Sequence, residues 1–341
     1  MSHIRPQPQL ESPDGATHAR VATLLRCAVV LAIAMVVIFA DIPGSARWTN
    51  VLQNSAHAPA FAVVFLLIAN WFYDRNRTPQ GQDTRVTWLI AFGTFAITLS
   101  IGVTTEGIQW LIGHDAEVDD IFHDFIGSAG AGAIWLYWRL ARPRDRGQAA
   151  TWCCLTIGIA CGIVWAQPLV ACAAAYWHRA ADFPVIARFA TQGDLYFTEV
   201  RGSPSALVGD AGPHAADDWP NRPALEIALR ADRWPGVALI EPKPDWSGYR
   251  TLIVAVTNPN SSVLEVQVRV DDAPNGKRGN TFTESFPCAP RHGCLHSIDL
   301  HKLVSSRQQP LDLRQIARVI VFHRGPAEGQ QLRVHGVWLE R

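Results

Sequence analysis

The sequence predicts a multi-domain protein: an α-helical transmembrane bundle of about five spans, followed by an all-β sandwich. Long apolar runs fill the first half of the 341-residue chain, and short segments of alternating polarity fill the second half. Only 18% of the residues are charged, whereas about 25% is usual for a soluble domain. The formal net charge is zero, so we expect no nucleic-acid partner, because such a partner requires a basic face.

Five apolar segments are predicted to cross a membrane. Over at least 16 residues each lacks the polar stripe that a soluble core helix repeats every 3.6 residues. A signal peptide accounts for one such segment but not for five. The lipid bilayer is therefore the first expected partner. The predicted spans are 24–40, 58–73, 87–103, 121–140 and 151–177, which place a bundle at 22–177 after a cytoplasmic tail at 1–21.

The distribution of arginine predicts the orientation of this bundle. Loops on one side carry ten arginines, whereas on the other side the first loop carries only Arg47 and the third loop carries none. Because basic residues mark cytoplasmic loops, we expect a multi-pass inner-membrane protein with a cytoplasmic N-terminus and a periplasmic C-terminal domain. The ten arginines are Arg5, Arg20, Arg26, Arg75, Arg77, Arg85, Arg139, Arg142, Arg144 and Arg146.

The second half of the chain reads as short strands. Residues 263–270 alternate between apolar and polar side chains, which is typical of a strand buried on one face. Seven to nine such segments, separated by turn residues, indicate a β-sandwich at 225–341, preceded by a linker and first strand region at 178–224. The other predicted strands are 225–229, 236–240, 251–256, 319–322 and 332–339.

Several short motifs in this region are similar to the galactose-binding-like jelly rolls of carbohydrate-binding modules. That resemblance implies a glycan partner, held by exposed aromatic rings with polar groups at their edges. Trp234, Trp246 and Tyr249 are the candidate glycan contacts, and core packing of these rings is the alternative. The motifs are Trp246-Ser-Gly-Tyr249, Val268-Arg-Val-Asp271-Asp272, Leu311-Asp-Leu and the run 316–322.

Two of the seven cysteines are predicted to pair. Cys288 and Cys294 are separated by five residues and lie in the region expected outside the cytoplasm, where disulfides persist. Two free thiols, or an incomplete metal pair, are the alternatives. The other five cysteines lie in predicted spans, where a thiol behaves as a small apolar group.

Polar residues at the predicted outer ends of three spans form a candidate pocket. Carboxylates at membrane depth normally face a bundle interior or a water-filled cavity and find partners there, and spacings of three or four residues place side chains on one helical face. We expect His57 and His123 to be the partners of Glu106 and Asp120. The candidate pocket residues are His57, Glu106, Gln109, Asp119, Asp120, His123 and Asp124.

The order of these residues resembles the VanZ-like membrane family. The matching pattern is His57, then Glu106-x-x-Gln109, then Asp120-x-x-x-Asp124-x-x-Gly127. Position 124 departs from the family, which usually has Asn there, and the Arg commonly found between the Gln and the first Asp is missing. The resemblance implies a role at the cell envelope and does not specify a reaction.

Three functions stay open at this stage. The chain is an accessory protein that binds an envelope glycan or glycopeptide, a membrane enzyme using His and carboxylate acid–base chemistry on a lipid-linked or surface glycan, or a structural scaffold. No nucleophile motif such as Gly-x-Ser-x-Gly and no His-Glu-x-x-His is present. We therefore assign no catalytic residue and expect neither a cofactor nor a metal, and the oligomeric state is not predicted.

Overall fold

The computed structural model divides into two compact units, Met1–Cys172 and Ala173–Arg341. Residues 1–12 of the predicted tail and most of the predicted linker between 202 and 222 lie outside the residues that the structure describes. The described residues are 13–39, 46–78, 83–112, 118–141, 148–201, 205–208, 223–229, 234–272, 280–305, 308–325 and 327–341.

Five α-helices are present in the described part of the first half of the chain. Each coincides with one of the predicted apolar runs, and each begins between three and eleven residues before that run. The first helix begins within the segment predicted as a tail, where proline is well tolerated because a helix start leaves its N–H unbonded in any case. The helices are α1 (Pro13–Phe39), α2 (Arg47–Asn76), α3 (Thr84–Leu111), α4 (Val118–Leu140) and α5 (Gln148–Asp182).

Three helical segments are long and apolar enough to cross a membrane: Arg47–Asn76, Thr84–Leu111 and Ala149–Asp182. Helix α1 contributes a shorter apolar stretch, Val21–Val37. Helix α4, which carries three aspartates in its first two turns, is not among them. These segments are consistent with membrane association of the helical unit.

Helices α2 and α4 pack closely because glycine lies where they cross. A Cβ on Gly127 would stand only 2.0 Å from the backbone oxygen of Ala58, and one on Gly132 would stand 3.0 Å from the ring of Phe65. Small residues at such crossings let two backbones approach. Gly127 and Gly132 therefore serve the packing of α2 against α4.

A proline inside α2 frees a backbone carbonyl that another helix uses. Pro59 has no N–H, so the carbonyl of Ser55, four residues earlier, loses its usual helical partner. The indole Nε1–H of Trp165 in α5 donates to that carbonyl over 2.8 Å. A break in the α2 hydrogen-bond ladder is thus repaired by a side chain from α5.

The described residues of the second unit form eleven strands in two antiparallel sheets. One sheet has the order β3-β4-β11-β6-β9, with β1 also paired to β11, and the other has the order β2-β5-β10-β7-β8. The strands are β1 (Val185–Ala187), β2 (Thr198–Arg201), β3 (Ser205–Val208), β4 (Ala224–Leu229), β5 (Gly236–Ile240), β6 (Thr251–Asn258), β7 (Leu264–Asp271), β8 (Thr281–Cys288), β9 (His292–Asp299), β10 (Arg318–His323) and β11 (Gln330–Glu340).

The core of the sandwich follows from the alternation along each strand. In β7, Leu264, Val266, Val268 and Val270 are buried against the facing sheet, while the residues between them lie on the outer face. The three strands β1, β2 and β3 precede residue 224, so the region predicted as a linker and first strand region contributes to both sheets. The β-sandwich architecture predicted from the alternating pattern is confirmed.

Candidate functional site

The helical unit brings four of the predicted pocket residues together in its interior. His57 lies in the third turn of α2, Glu106 near the end of α3, and Asp120 and Asp124 in the first two turns of α4. Their exposed fractions are 6%, 5%, 8% and 0%, respectively. These four residues, called the polar cluster below, therefore lie inside the bundle, although three of them are formally acidic.

His57 is the centre of the polar cluster. Its Nδ1 lies 3.2 Å from Oδ1 of Asp124, and its Nε2 lies 3.7 Å from Oδ2 of Asp120. Asp120 and Asp124 are four residues apart on α4, so both carboxylates lie on the helical face that meets α2. One imidazole is thus placed between two carboxylates of the same neighbouring helix.

Glu106 approaches the same imidazole from α3. His57, Glu106 and Asp120 each offer one ligand atom, and these three atoms lie within 4.8 Å of one another. An imidazole nitrogen and two carboxylate oxygens are a donor set that divalent metals accept. The same three groups are also able to relay a proton. Both kinds of chemistry are open to this geometry.

Asp124 fits between α3 and α4 because residue 102 is glycine. A Cβ on Gly102 would stand 2.5 Å from Oδ2 of Asp124. That Oδ2 atom is fully buried and has no hydrogen-bond partner among the described residues. Sequence reasoning did not include Gly102, although its position four residues before Glu106 places it on the same face of α3.

Gln109 lies one turn beyond Glu106 and reaches α1. Its Nε2–H donates to the backbone carbonyl of Val37 over 3.2 Å, while its Oε1 is buried without a hydrogen-bond partner among the described residues. Gln109 is buried, with an exposed fraction of 8%. Gln109 therefore ties α3 to α1 beside the polar cluster.

Asp119 and His123, also predicted in the pocket, lie apart from the polar cluster. Asp119 is exposed, and Nδ1 of His123 hydrogen-bonds the backbone carbonyl of Asp119 at 2.8 Å. Among the described residues, His57 and not His123 lies near Glu106 and Asp120, so the expected pairing of His123 with one of them is wrong. Asp119 and His123 directly precede Asp120 and Asp124 on the helix, so each points about 100° away from the cluster residue that follows it.

The candidate glycan contacts divide in a different way. Trp246 is completely buried, packs in the sandwich core and donates its indole N–H to the carbonyl of Lys243 over 2.8 Å. The expectation of a glycan contact through Trp246 is therefore wrong, and the alternative of core packing applies to it. Tyr249 is partly buried beside the ring of Phe183, at 5.3 Å between ring centroids.

Trp234 is the candidate ring that solvent reaches. It is 48% exposed and lies directly before β5, with its ring centroid 5.5 Å from that of Phe322. The guanidinium carbon of Arg324 lies 5.5 Å from the Trp234 ring. Phe322 belongs to an apolar group on the outer face of the β2-β5-β10-β7-β8 sheet, with Ala238 and Ile320.

Polar residues continue the same outer face on β7. Gln267 is the register partner of Phe322, and Arg269 is the register partner of Ile320. The outer face thus combines the exposed ring of Trp234 with the partly exposed Gln267 and Arg269, above a small apolar group that is buried. This is the composition that the sequence resemblance predicts for a glycan contact, although only Trp234 of the three predicted rings belongs to it.

Asp271 and Asp272 serve the structure of the sandwich. Both oxygens of Asp271 accept hydrogen bonds from arginines, Arg269 at 2.7 Å and Arg318 at 2.8 Å. Asp272 accepts the backbone N–H groups of Asn280 and Asp312, at 2.6 Å and 3.0 Å. Asp271 therefore forms ion pairs on the sheet, and Asp272 holds the chain where β7 ends.

Cys288 and Cys294 are joined by a disulfide, with 5.9 Å between their Cα atoms. Cys288 ends β8 and Cys294 lies in β9, so the bond connects the two sheets at one edge of the sandwich. The predicted pair is therefore bonded in the structure.

No protein-family model and no characterised protein matches the sequence. Among solved structures, a family 11 carbohydrate-binding module from Clostridium thermocellum, bound to a β-1,3-1,4-mixed-linked tetrasaccharide, is 14% identical; the match covers 42% of this chain and 89% of that one, with a TM-score of 0.33. An exo-β-agarase is 12% identical, over 42% of this chain and 23% of the enzyme, with a TM-score of 0.35. With TM-scores below 0.5, these similarities say nothing about the ligand of this protein.

Proposed function

We propose that this chain is a five-span inner-membrane protein of the VanZ-like type whose periplasmic sandwich binds an envelope glycan or glycopeptide, as an accessory protein of the cell envelope. The observation that carries the proposal is the exposed ring of Trp234 on the outer face of a sheet, next to polar side chains. The proposal concerns binding, and no reaction is part of it.

The membrane placement is supported by three helices of spanning length and composition. The arginine asymmetry described above favours a cytoplasmic N-terminus, and an odd number of spans then puts the sandwich outside. The disulfide between Cys288 and Cys294 fits that compartment, because disulfides are rare in the reducing cytosol.

The VanZ-like assignment is supported by the geometry of its pattern residues. His57, Glu106, Asp120 and Asp124 come from three helices and meet in one polar cluster. Residues that only happened to follow the family's order along the chain would have no reason to converge. Gly127, the last residue of the pattern, lies at the crossing of α2 and α4.

The glycan-binding role is supported by the chemistry of the Trp234 face. The apolar C–H face of a sugar ring packs well on an aromatic ring, and its hydroxyl groups need donors and acceptors at the edge. Arg324 lies beside Trp234, and Gln267 and Arg269 lie on the neighbouring part of the same sheet. The two requirements therefore meet on one surface.

The binding test uses the full chain in lipid nanodiscs and a panel of envelope polysaccharides and peptidoglycan fragments. We expect one class of glycan to bind, and Trp234→Ala to weaken its binding by at least about tenfold, which corresponds to about 1.4 kcal/mol. Trp234→Phe keeps an aromatic ring and should bind more tightly than Trp234→Ala. Trp338→Ala removes a partly exposed indole from the other sheet and is the matched control.

If the wild-type protein binds none of the glycans in the panel, the glycan-binding role is overturned. Equal binding by the wild type and Trp234→Ala would place the glycan elsewhere and reject this face. The orientation is tested separately by a C-terminal reporter: alkaline phosphatase should be active, and a green fluorescent protein fused at the same position should stay dark. The reverse result would place the sandwich in the cytosol.

A second candidate function is acid–base catalysis in the membrane, favoured by His57 lying between Asp120 and Asp124. Such an enzyme would act on a lipid-linked or surface glycan, with His57 transferring the proton and a carboxylate orienting it. Glu106→Gln and His57→Ala should then abolish turnover while the folded protein is still produced. Unchanged turnover in both variants would reject this candidate.

A further inference from the structure

We propose that the polar cluster binds one divalent transition-metal ion, with His57, Glu106 and Asp120 as ligands and Asp124 as the residue that positions His57. The site is independent of the Trp234 face and of the glycan-binding role proposed above. It also goes against the expectation from sequence, which rested on the absence of a familiar linear spacing such as His-Glu-x-x-His.

The donor atoms have the composition and the proximity that such a site needs. One imidazole nitrogen and two carboxylate oxygens lie within 4.8 Å of one another, and Nε2 of His57 is already 3.7 Å from Oδ2 of Asp120. Ligands that are each about 2.0–2.2 Å from a tetrahedral metal lie roughly 3.3–3.5 Å apart. Small side-chain rotations therefore bring these three donors to bonding distance, and a fourth position stays open.

The bond between His57 and Asp124 orients the imidazole for this role. When Nδ1–H donates to Oδ1 of Asp124, over 3.2 Å, the lone pair of Nε2 points towards Asp120. Metal-binding histidines almost always have their second nitrogen bonded in this way, to a carboxylate or a carbonyl, which fixes the tautomer and raises the basicity of the ligand. Three helices thus supply both the donors and the support behind them.

Two buried oxygens on residues next to the ligands in α3 and α4 have no hydrogen-bond partner among the described residues. One is Oδ2 of Asp124, in a residue with 0% exposure that is bonded to His57 through its other oxygen. The other is Oε1 of Gln109, one helical turn from Glu106, in a residue with 8% exposure. Buried acceptors without a donor are rare in folded proteins, and an ion is one of the ordinary explanations.

The negative charges of the polar cluster also favour a divalent cation. Glu106, Asp120 and Asp124 are three buried carboxylates that lie near the His57 imidazole. Like charges at this separation repel strongly where the effective dielectric constant is low. A bound ion of charge +2 reduces that repulsion and becomes the largest local charge in the site.

The test is a metal titration of the tag-free full chain, purified in detergent and stripped with a chelator. Co²⁺ is the probe, because its visible absorption reports the coordination of the ion, and Zn²⁺ is then added to displace it. We expect saturable uptake of one equivalent per chain. His57→Ala and Asp120→Asn should weaken Co²⁺ binding by more than about tenfold and remove its absorption band, since each loses a ligand.

Asp124→Asn tests the positioning role. It should weaken binding by about 10–100-fold and shift the Co²⁺ absorption band, while the stoichiometry stays at one ion per chain. A purely structural role of Asp124 would leave the band of the bound ion unchanged. Asp119→Asn and His123→Ala are the matched controls, since both residues are neighbours in sequence that lie outside the polar cluster, and both variants should bind as the wild type does.

Two results would overturn the proposal. One is wild-type protein that takes up no saturable equivalent of Co²⁺ or Zn²⁺. The other is an Asp120→Asn variant, folded by circular dichroism and gel filtration, that binds as tightly as the wild type. Asp120→Asn keeps the size of the side chain, so it decides the question even if His57→Ala fails to fold.

Discussion

The helical unit and the sandwich each bury a carboxylate completely, and they treat it differently. In the sandwich, both oxygens of Asp271 accept hydrogen bonds, from Arg269, Thr281 and Arg318. In the helical unit, Asp124 uses one oxygen for His57, and the other has no partner among the described residues. Burial of a carboxylate is common to both, so it does not by itself distinguish a structural residue from a site residue. The unused acceptor does.

The largest loss of stability is expected when Asp271, the carboxylate with both oxygens hydrogen-bonded, is removed. Asp271→Ala should destabilise the sandwich by about 3–5 kcal/mol, because it leaves Arg318 mostly buried and without its counter-charge. Hydrogen exchange of peptides from β7 and β10 in the full chain measures this as a lower free energy of opening. Unchanged protection would mean that the ion pair contributes nothing to the sandwich.

The next largest loss of stability is expected at the close crossing of α2 and α4. Gly127→Ala should destabilise the helical unit by about 2–3 kcal/mol, because the new Cβ meets the backbone of Ala58 and the helices must move apart. Gly93→Ala in α3 has nothing within 4 Å and should be neutral or stabilising by up to about 1 kcal/mol. Thermal unfolding in detergent compares the two. Equal midpoints would refute the close crossing.

The disulfide gives an effect of roughly 2 kcal/mol, the loop-closure value for a loop this short. The double variant Cys288→Ser, Cys294→Ser should lower the stability of β8 and β9 by that amount while leaving the helical unit unaffected. Exchange protection in β9 is the measurement, and protection in α2 is the internal control. Thiol labelling of folded wild-type protein prepared without reductant should modify the exposed Cys27 and Cys153 and spare this pair.

The smallest change in stability is expected for Asp124, the carboxylate with one oxygen that has no partner among the described residues. With metal removed, Asp124→Asn should change the stability of the helical unit by less than about 1 kcal/mol, because asparagine keeps the size of the side chain and an oxygen that accepts the hydrogen bond from His57. Thermal unfolding of the stripped protein is the measurement. A loss comparable to that of Asp271→Ala would make Asp124 a structural residue.

Sequence alone predicted much of the architecture, because hydrophobic periodicity reports which faces are buried. The run at 236–240 matches β5 at both ends, and the alternation at 263–270 matches β7 within one residue. The strands β8 and β9 were missed, since most of their inward positions are only partly buried and few of them are strongly apolar. Edge strands of this kind bury less, and their pattern is correspondingly faint.

The four residues of the polar cluster were among the seven predicted pocket residues, and the pairing of His57 with Asp120 was one of those expected, whereas Asp119 and His123 lie outside the cluster. The spacing of Asp120 and Asp124 gave a common face, whereas the choice of His57 over His123 depends on which helices pack together. The roles of Gly102 and Trp246 are of the same kind. A glycine that admits a carboxylate, and an indole that enters the core, are set by neighbours distant in sequence, which no local pattern records.

The hydrogen bond from Trp165 to the Ser55 carbonyl couples substitutions at two positions of this protein. Pro59 and Trp165 form a matched pair, 106 positions apart, in which the imino acid creates a vacancy and the indole fills it. Replacing Trp165 alone leaves the Ser55 carbonyl without its hydrogen-bond donor, two residues before His57. Replacing Pro59 as well gives that carbonyl a backbone N–H donor within α2. Descendants of this sequence that lose one member should therefore be under pressure to lose the other.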